Sequence, residues 1–297
     1  MHKAYQYRNF SLIVGNGVKD RMVVKIGFVK IGNIGSAPMI ELLLDERAER
    51  EDIDVRVITT GAKMDVEQAI EITKNMVDYK PDFVVSTSPN AALPGPSKIR
   101  EVLKEARIPA IIISDSPAKK ATKEIEELGQ GYMIVLADSM IGARREFLDP
   151  IEMALFNADL IKILSVTGVF NILCSEMDKI IDAYKKNETP NLPKMIIDKD
   201  TAISASGLQN PYAKVKAMAA YEIARRVADL SVEGCFMVKE WERYTTLVAA
   251  SHEMMRTAAL LADEAREIEK NNDSVLRMPH YDDGTIMQKR KLIEKPK

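Results

Sequence analysis

The chain has 297 residues, of which 46% are hydrophobic and 29% charged, with 42 basic against 44 acidic side chains. Such a composition belongs to a folded globular protein of about two domains and excludes disordered, collagen-like and mucin-like chains, while a formal net charge of −2 gives no overall basic footprint for nucleic acid. The most apolar stretch, Ile151 to Cys174, is broken by Glu152, Asn157, Asp159 and Lys162, so no run reaches the ~18 uninterrupted apolar residues of a membrane span.

Residues 1–21 lack the apolar segment of a secretory signal. Met22 stands directly before the strongly patterned Val23–Phe28, so the preceding residues read as a peripheral extension or as the product of an upstream start codon. From there short β-branched runs alternate with helical patterns. The runs are Val23–Val29, Val55–Thr59, Phe83–Ser86, Ala110–Ser114 and Met133–Ala137. Between them, apolar residues recur at helical spacing, as in Val66, Ala69, Ile70, Thr73, Met76 and Val77, or Ile99, Val102, Leu103 and Ala106. Helix starts are marked by Ser36 with Pro38, by Asp65 with Gln68 three later, and by Ser116 before Pro117. Strand and helix in alternation predict an α/β fold with a five-strand parallel sheet covered on both faces, over residues 22–145.

At Asp149-Pro150-Ile151-Glu152 the pattern changes to helix starts without intervening strands. Residues 146–272 read as a helical bundle region, with a second start at Asn210-Pro211. Leu247, Ser251, Met254, Ala258, Leu261, Ala265 and Ile268 alternate steps of four and three, a seam for lengthwise helix packing or subunit contact. In residues 273–297, Asp283-Gly284 between extended runs predicts a small C-terminal β-hairpin segment. A lone hairpin is marginal, so it is expected to add to a sheet elsewhere, on this subunit or a neighbour.

In an open parallel sheet, ligands bind at the carboxyl ends of the strands where the strand order reverses. The segments there are Lys30–Ser36, Thr59–Lys63, Ser86–Asn90, Ser114–Ser116 and Asp138-Ser139. Small hydroxyl and glycine residues converge, so backbone N–H groups can approach a polar ligand. The first loop matches only part of a dinucleotide fingerprint. With Gly32 and Gly35 as its later glycines, Lys30 stands where the first should be, and Thr59-Thr60-Gly61 stands where an acidic residue should hold a ribose. Nicotinamide dinucleotides are therefore disfavoured. No nucleophile elbow, phosphate-binding P-loop or zinc-protease helix is present. His252 reads as a helix-surface or interface residue that could instead face the crevice, and Arg144-Arg145 as either a solvated pair or partners for an anionic tail. The two cysteines, Cys174 and Cys235, read as buried thiols suited to a reducing cytoplasm.

The run Lys25-Ile-Gly-Phe-Val-Lys-Ile-Gly-Asn-Ile-Gly-Ser-Ala-Pro-Met resembles the start of the coenzyme F420-dependent methylenetetrahydromethanopterin dehydrogenases of methanogenic and related archaea. The resemblance continues through Ile58-Thr-Thr-Gly-Ala-Lys-Met, Val85-Ser-Thr-Ser-Pro-Asn-Ala-Ala, Leu136-Ala-Asp, Gln209-Asn-Pro-Tyr and Arg277-Met-Pro-His. It implies reversible hydride transfer from reduced F420 to the methenyl-tetrahydromethanopterin cation, a step of methanogenesis from carbon dioxide. It further implies a homohexamer built as a trimer of dimers, F420 as a dissociable cosubstrate, and neither metal nor tightly bound flavin. No proton is transferred at the reacting carbon, so no catalytic acid–base pair is needed and the protein's work is positioning and exclusion of water. On that reading Lys30 and Lys63, with Arg144 behind them, meet the anionic tail of F420. Gly32, Asn33, Gly35, Gly61, Thr87, Ser88, Asn90 and Asp115 frame the ring. Asp138 either favours the pterin cation electrostatically or serves as a cap. Neither nucleic acid nor membrane is an expected partner. The competing classes are another dehydrogenase of this architecture and a non-enzymatic small-molecule binding module. The first wants a ribose-recognition residue, and the second a signal peptide with two similar lobes.

Overall fold

The computed structural model describes residues 23–45 and 50–297, so the expectation for residues 1–21 lies outside the described residues. The sheet begins with β1 (Val24–Lys30), followed by α1 (Ser36–Asp45), β2 (Ile53–Thr59), α2 (Val66–Tyr79), β3 (Phe83–Ser88) and α3 (Pro94–Glu105). Next come β4 (Ala110–Asp115), a 3₁₀ turn over Ser116–Ala121, α4 (Thr122–Glu127) and β5 (Gly131–Val135). All five expected strands form, each within two residues of its expected start and finish.

A sixth strand, β6 (Lys194–Ile197), follows the helices α5 (Pro150–Val166) and α6 (Val169–Lys185) and pairs with β5. The segment read as purely helical thus returns to complete the sheet. Every pairing is parallel and the order is β2-β1-β3-β4-β5-β6. The order reverses between β1 and β3, which places the ligand crevice beyond the carboxyl ends of those strands.

Burial explains the composition of the strands. β3, β4 and β5 are buried along their whole length, so both faces need apolar side chains and the runs read as nearly continuous Val and Ile. β2 and β6 are edges and carry exposed Arg56 and Lys194. On one face α1 packs against α5 and α6; on the other, α2 and α3 pack together.

α7 (Lys199–Ala205), α8 (Pro211–Val232) and α9 (Trp241–Asn271) complete the chain's helices among the described residues. α8 and α9 pack lengthwise through small residues: Ala213, Ala217, Ala220 and Ala224 on one, Ala258, Ala262 and Ala265 on the other, all buried. The expected seam of α9 is there, with Ser251, Ala258 and Ala265 fully buried. Capping follows the sequence. Asp65, Asp149 and Asn210 accept hydrogen bonds from the amides of Gln68, Glu152 and Tyr212 at 3.0, 2.8 and 2.9 Å. No described helix is by itself long and apolar enough to cross a membrane.

The C-terminal segment turns at Asp282-Asp283, one residue before the expected Asp283-Gly284, and pairs at Arg277 with Lys289 and at His280 with Ile286. Within this chain it docks on other elements and joins no sheet. His280 Nε2 lies 2.9 Å from Asp178 of α6, the Glu51 amide donates to the Asp282 carbonyl at 2.8 Å, and Lys185 donates to the Asp283 carbonyl at 2.6 Å.

The junction of α5 and α6 turns at Gly168, whose φ of +98° is left-handed and whose ideal Cβ would lie 2.2 Å from the Ala202 carbonyl oxygen. Both strain and a backbone clash oppose any side chain there. Gly168→Ala is expected to destabilise the protein by about 3 kcal/mol or more. Chemical denaturation followed by far-UV circular dichroism checks it, and a loss below ~1 kcal/mol would mean that the junction relaxes freely.

Candidate functional site

The loops expected to form the crevice interlock through their backbones. Ile31 N–H donates to the Thr87 carbonyl at 3.0 Å, Gly32 N–H to the Gly61 carbonyl at 3.0 Å, and Thr60 N–H to the Lys30 carbonyl at 3.2 Å. The structure therefore brings Lys30, Gly32, Gly61 and Thr87 together. Gly32 has φ +76°, and a Cβ there would strike Met64 Sδ at 2.7 Å and Pro89 at 2.8 Å. The loops close this tightly because no side chain stands between them. Gly61, by contrast, faces open space, and Lys63 beside it is exposed.

Several polar groups at the strand ends are occupied with building the rim. Ser114 Oγ donates to the Ser88 carbonyl at 2.6 Å and accepts from the Ala91 amide at 3.0 Å. Asn90 Oδ1 accepts from the Ala92 amide at 3.0 Å. Asn33 is half-buried on the first loop. Thr87 is fully buried, and its hydroxyl has no hydrogen-bond partner within the described residues. Lys30 and Lys63 have no carboxylate partner among the described residues, which leaves both cations available to an anion.

Asp138 is nearly fully buried and accepts from the Gly35 amide at 2.6 Å and the Ser36 amide at 2.9 Å. It caps α1 from the end of β5, so the structure realises the capping alternative, and the amides at this helix start are occupied by the chain's own carboxylate. Gly35 is a packing glycine as well: a Cβ would meet Leu160 of α5 at 2.6 Å. Burial pushes the Asp138 carboxyl up to about 6, against the pull of its hydrogen bonds from Ser36 and Gly35. Asp115, at the end of β4, caps the 3₁₀ turn by accepting from Ser116 N–H at 2.5 Å. Burial drives its carboxyl well above the usual range; the Ser116 bond opposes this and the neighbouring Asp138 adds to it.

Arg144 and His252 both make contacts within the chain that the sequence did not announce. The Arg144 guanidinium donates to the carbonyl of Gly234 at 2.9 Å and stacks 4.2 Å from the centre of the Tyr244 ring. It holds Glu233–Met237, where α8 widens into a π-helical turn, a feature read in the sequence only as continuing helix. The signal for it was Gly234, which sits against Val248 and the Tyr244 carbonyl where a larger side chain would clash. His252 is buried rather than on a helix surface, with its ring 4.8 Å from Phe147 and 4.7 Å from Phe156, and burial lowers its basicity. Cys174 and Cys235 are half-buried thiols rather than fully buried ones. Beside the β4 end, Ser116, Pro117, Val232, Met237, Val238 and Arg243 line a hollow of about 620 Å³. No group of three or more His, Cys, Asp or Glu residues suited to a metal ion occurs among the described residues.

Residues 24–297 match the family model for methylene-5,6,7,8-tetrahydromethanopterin dehydrogenase. The chain is 54% identical over 275 residues to the F420-dependent methylenetetrahydromethanopterin dehydrogenase of Archaeoglobus fulgidus, covering 93% of this chain and all of that one. It is 54% identical over 276 residues to the Methanocaldococcus jannaschii enzyme of the same name, with the same coverage. A solved structure of an F420-dependent methylene-tetrahydromethanopterin dehydrogenase, in complex with methylene-tetrahydromethanopterin and coenzyme F420, superposes with a TM-score of 0.90. It is 51% identical, and the match covers 93% of this chain and all of that one.

The Asp138 carboxyl carries a pH signature. Its folded value is raised, so its contribution to stability is full below about pH 4 and is lost as pH rises through 6. The stability of the parent relative to Asp138→Asn is expected to fall by roughly 2.5 kcal/mol between pH 4 and pH 7. Urea unfolding of both proteins across that range measures it, and a constant difference would show that Asp138 titrates as it does in the unfolded chain.

Proposed function

The chain belongs to the methylene-5,6,7,8-tetrahydromethanopterin dehydrogenase family, and we infer from that membership that it catalyses reversible hydride transfer between reduced F420 and the methenyl-tetrahydromethanopterin cation, a step of methanogenesis from carbon dioxide. The observation that carries this reading is the TM-score of 0.90 to a relative solved with both molecules bound, at 51% identity over 93% of this chain. When bound, reduced F420 supplies the hydride and the methenyl group supplies an electrophilic carbon.

The protein's own part is to position and to exclude water. Lys30 and Lys63 are the proposed partners of the anionic tail of F420, supported by their lack of carboxylate neighbours. Gly32, Asn33, Gly61, Thr87, Ser88, Asn90 and Asp115 are proposed to frame the ring, supported by the interlocked loops at the strand ends. Gly35 and Asp138 act one step back by holding the first loop, and Arg144 does so by fixing the π-helical turn beside the hollow. A carboxylate so close to the first loop also favours a cation in the crevice. A homohexamer, a trimer of dimers, is the proposed assembly, supported by strongly exposed apolar side chains such as Phe236, Met237 and Trp241. Two unbridged thiols in a chain of this size support a cytoplasmic setting.

Purified protein mixed with oxidised F420 and methylene-tetrahydromethanopterin is expected to bleach the F420 absorbance, whereas NAD or NADP in its place gives no turnover. Absence of bleaching at every temperature tried would refute the reading. Within the site, Lys30→Ala is expected to raise KM for F420 about tenfold with kcat within about threefold, and Asn33→Asp to weaken F420 through charge repulsion. Unchanged steady-state constants in both variants would remove the first loop from the F420 site.

A further inference from the structure

Asp138 and Asp115 stand at the carboxyl ends of neighbouring strands, β5 and β4, and each is 1% exposed. A buried charge is ordinarily paired with an opposite one. Among the described residues, however, no Lys, Arg or His forms an ion pair with either carboxylate. Lys119 is near enough to pull on Asp115 but is itself exposed and makes no bond to it.

The hydrogen bonds decide where negative charge rests. Asp138 accepts from two backbone amides, those of Gly35 and Ser36, whereas Asp115 accepts from one, that of Ser116. Each such bond favours the ionised form, and two like charges this close do not both ionise readily, so the charge settles on Asp138. It therefore lies directly behind the Lys30–Ser36 loop of the crevice, with no ion-pair partner. The two molecules of the assigned reaction differ in just the charge that it would sense. Because a hydride carries two electrons to the methenyl carbon, the pterin enters as a cation and leaves neutral.

Resting on that reading of the function, we propose that the Asp138 carboxylate acts through its field, without touching substrate, to make the crevice prefer the methenyl cation over methylene-tetrahydromethanopterin, and that acid switches this preference off. A Coulomb interaction falls only as the inverse of distance and is strong where protein replaces water, so a buried carboxylate needs no access to the ligand. The same field opposes discharge of the bound cation and eases the reverse transfer. Burial holds the Asp138 carboxyl at about 6, so its charge is mostly absent at pH 5 and nearly complete at pH 7.5. The groups that face the pair are Asp115 and Asp138 themselves, Lys119, and Gly35, Ser36 and Ser116.

Isothermal titration of the full chain, without F420, gives the dissociation constants of methenyl- and methylene-tetrahydromethanopterin at pH 5 and pH 7.5. In their ratio the charges common to both molecules cancel. The parent's preference for the cation is expected to be about fivefold stronger at pH 7.5 than at pH 5, and Asp138→Asn is expected to lower it about fivefold at pH 7.5. A ratio independent of pH in the parent overturns the proposal without recourse to any variant, and so does a pH dependence that survives in Asp138→Asn. Bleaching of oxidised F420 by methylene-tetrahydromethanopterin is followed in the same preparations. Bleaching with a flat ratio overturns this proposal alone, whereas absence of bleaching overturns the functional reading and this proposal with it.

Discussion

One buried carboxylate holds the working end of this molecule together. Asp138 leaves the end of β5 and takes the amides of Gly35 and Ser36, which follow β1 on the far side of β3 and β4 in the sheet order. A carboxylate removed from water is costly unless it is hydrogen-bonded, and each bond to a charged acceptor returns about 1.5–3 kcal/mol. The contact therefore persists only if the first loop is held in one shape. With that loop in place, Gly32 backs onto Gly61 and Ile31 onto Thr87, so the three loops at the switch point form one rigid rim. Leu160 of α5 closes against Gly35 from the other side, which couples the helical half to the same point.

Most of the architecture was legible because its signals are local. Alternation of β-branched runs with amphipathic helices placed five strands, and Asp65, Asp149 and Asn210 cap the helices that they announced. β6 was missed for a physical reason. It is four residues long and follows Pro190 and Pro193; only Ile197 is buried, so nothing in its composition separates it from a loop among helices. The tail shows the converse limit. Asp283-Gly284 falls within one residue of the turn, but the segments beside it pair at only two points, and polar groups there bind Asp178, Lys185 and the backbone of Glu51.

For the site, the rule that ligands gather at strand carboxyl ends found the right edge of the sheet, whereas the division of labour among residues was not readable. Whether a given amide faces a ligand or a neighbouring side chain depends on contacts more than 100 positions apart in the chain, as between Gly35 and Asp138. Arg144 read as a charge near the fifth strand, and part of its guanidinium is engaged by carbonyls at the π-helical turn. His252, in a polar stretch of helix, is enclosed by two phenylalanines. The chemistry itself was legible only through long matching motifs, since a reaction without proton transfer at carbon leaves no acid–base signature in the sequence.

The sixth strand has a consequence for how the chain reaches this state. β5 ends at Val135 and its partner β6 begins at Lys194, so α5 and α6 must be threaded between them. Those helices pack on α1, whose start is tied by Asp138 to the end of β5. Closure of that sheet edge thus waits on contacts of large sequence separation, which are slow to form because the loop-closure entropy is lost before the contacts repay it. The sheet edge at β6, the helices that cover it and the first loop of the crevice are thus coupled through contacts distant in sequence.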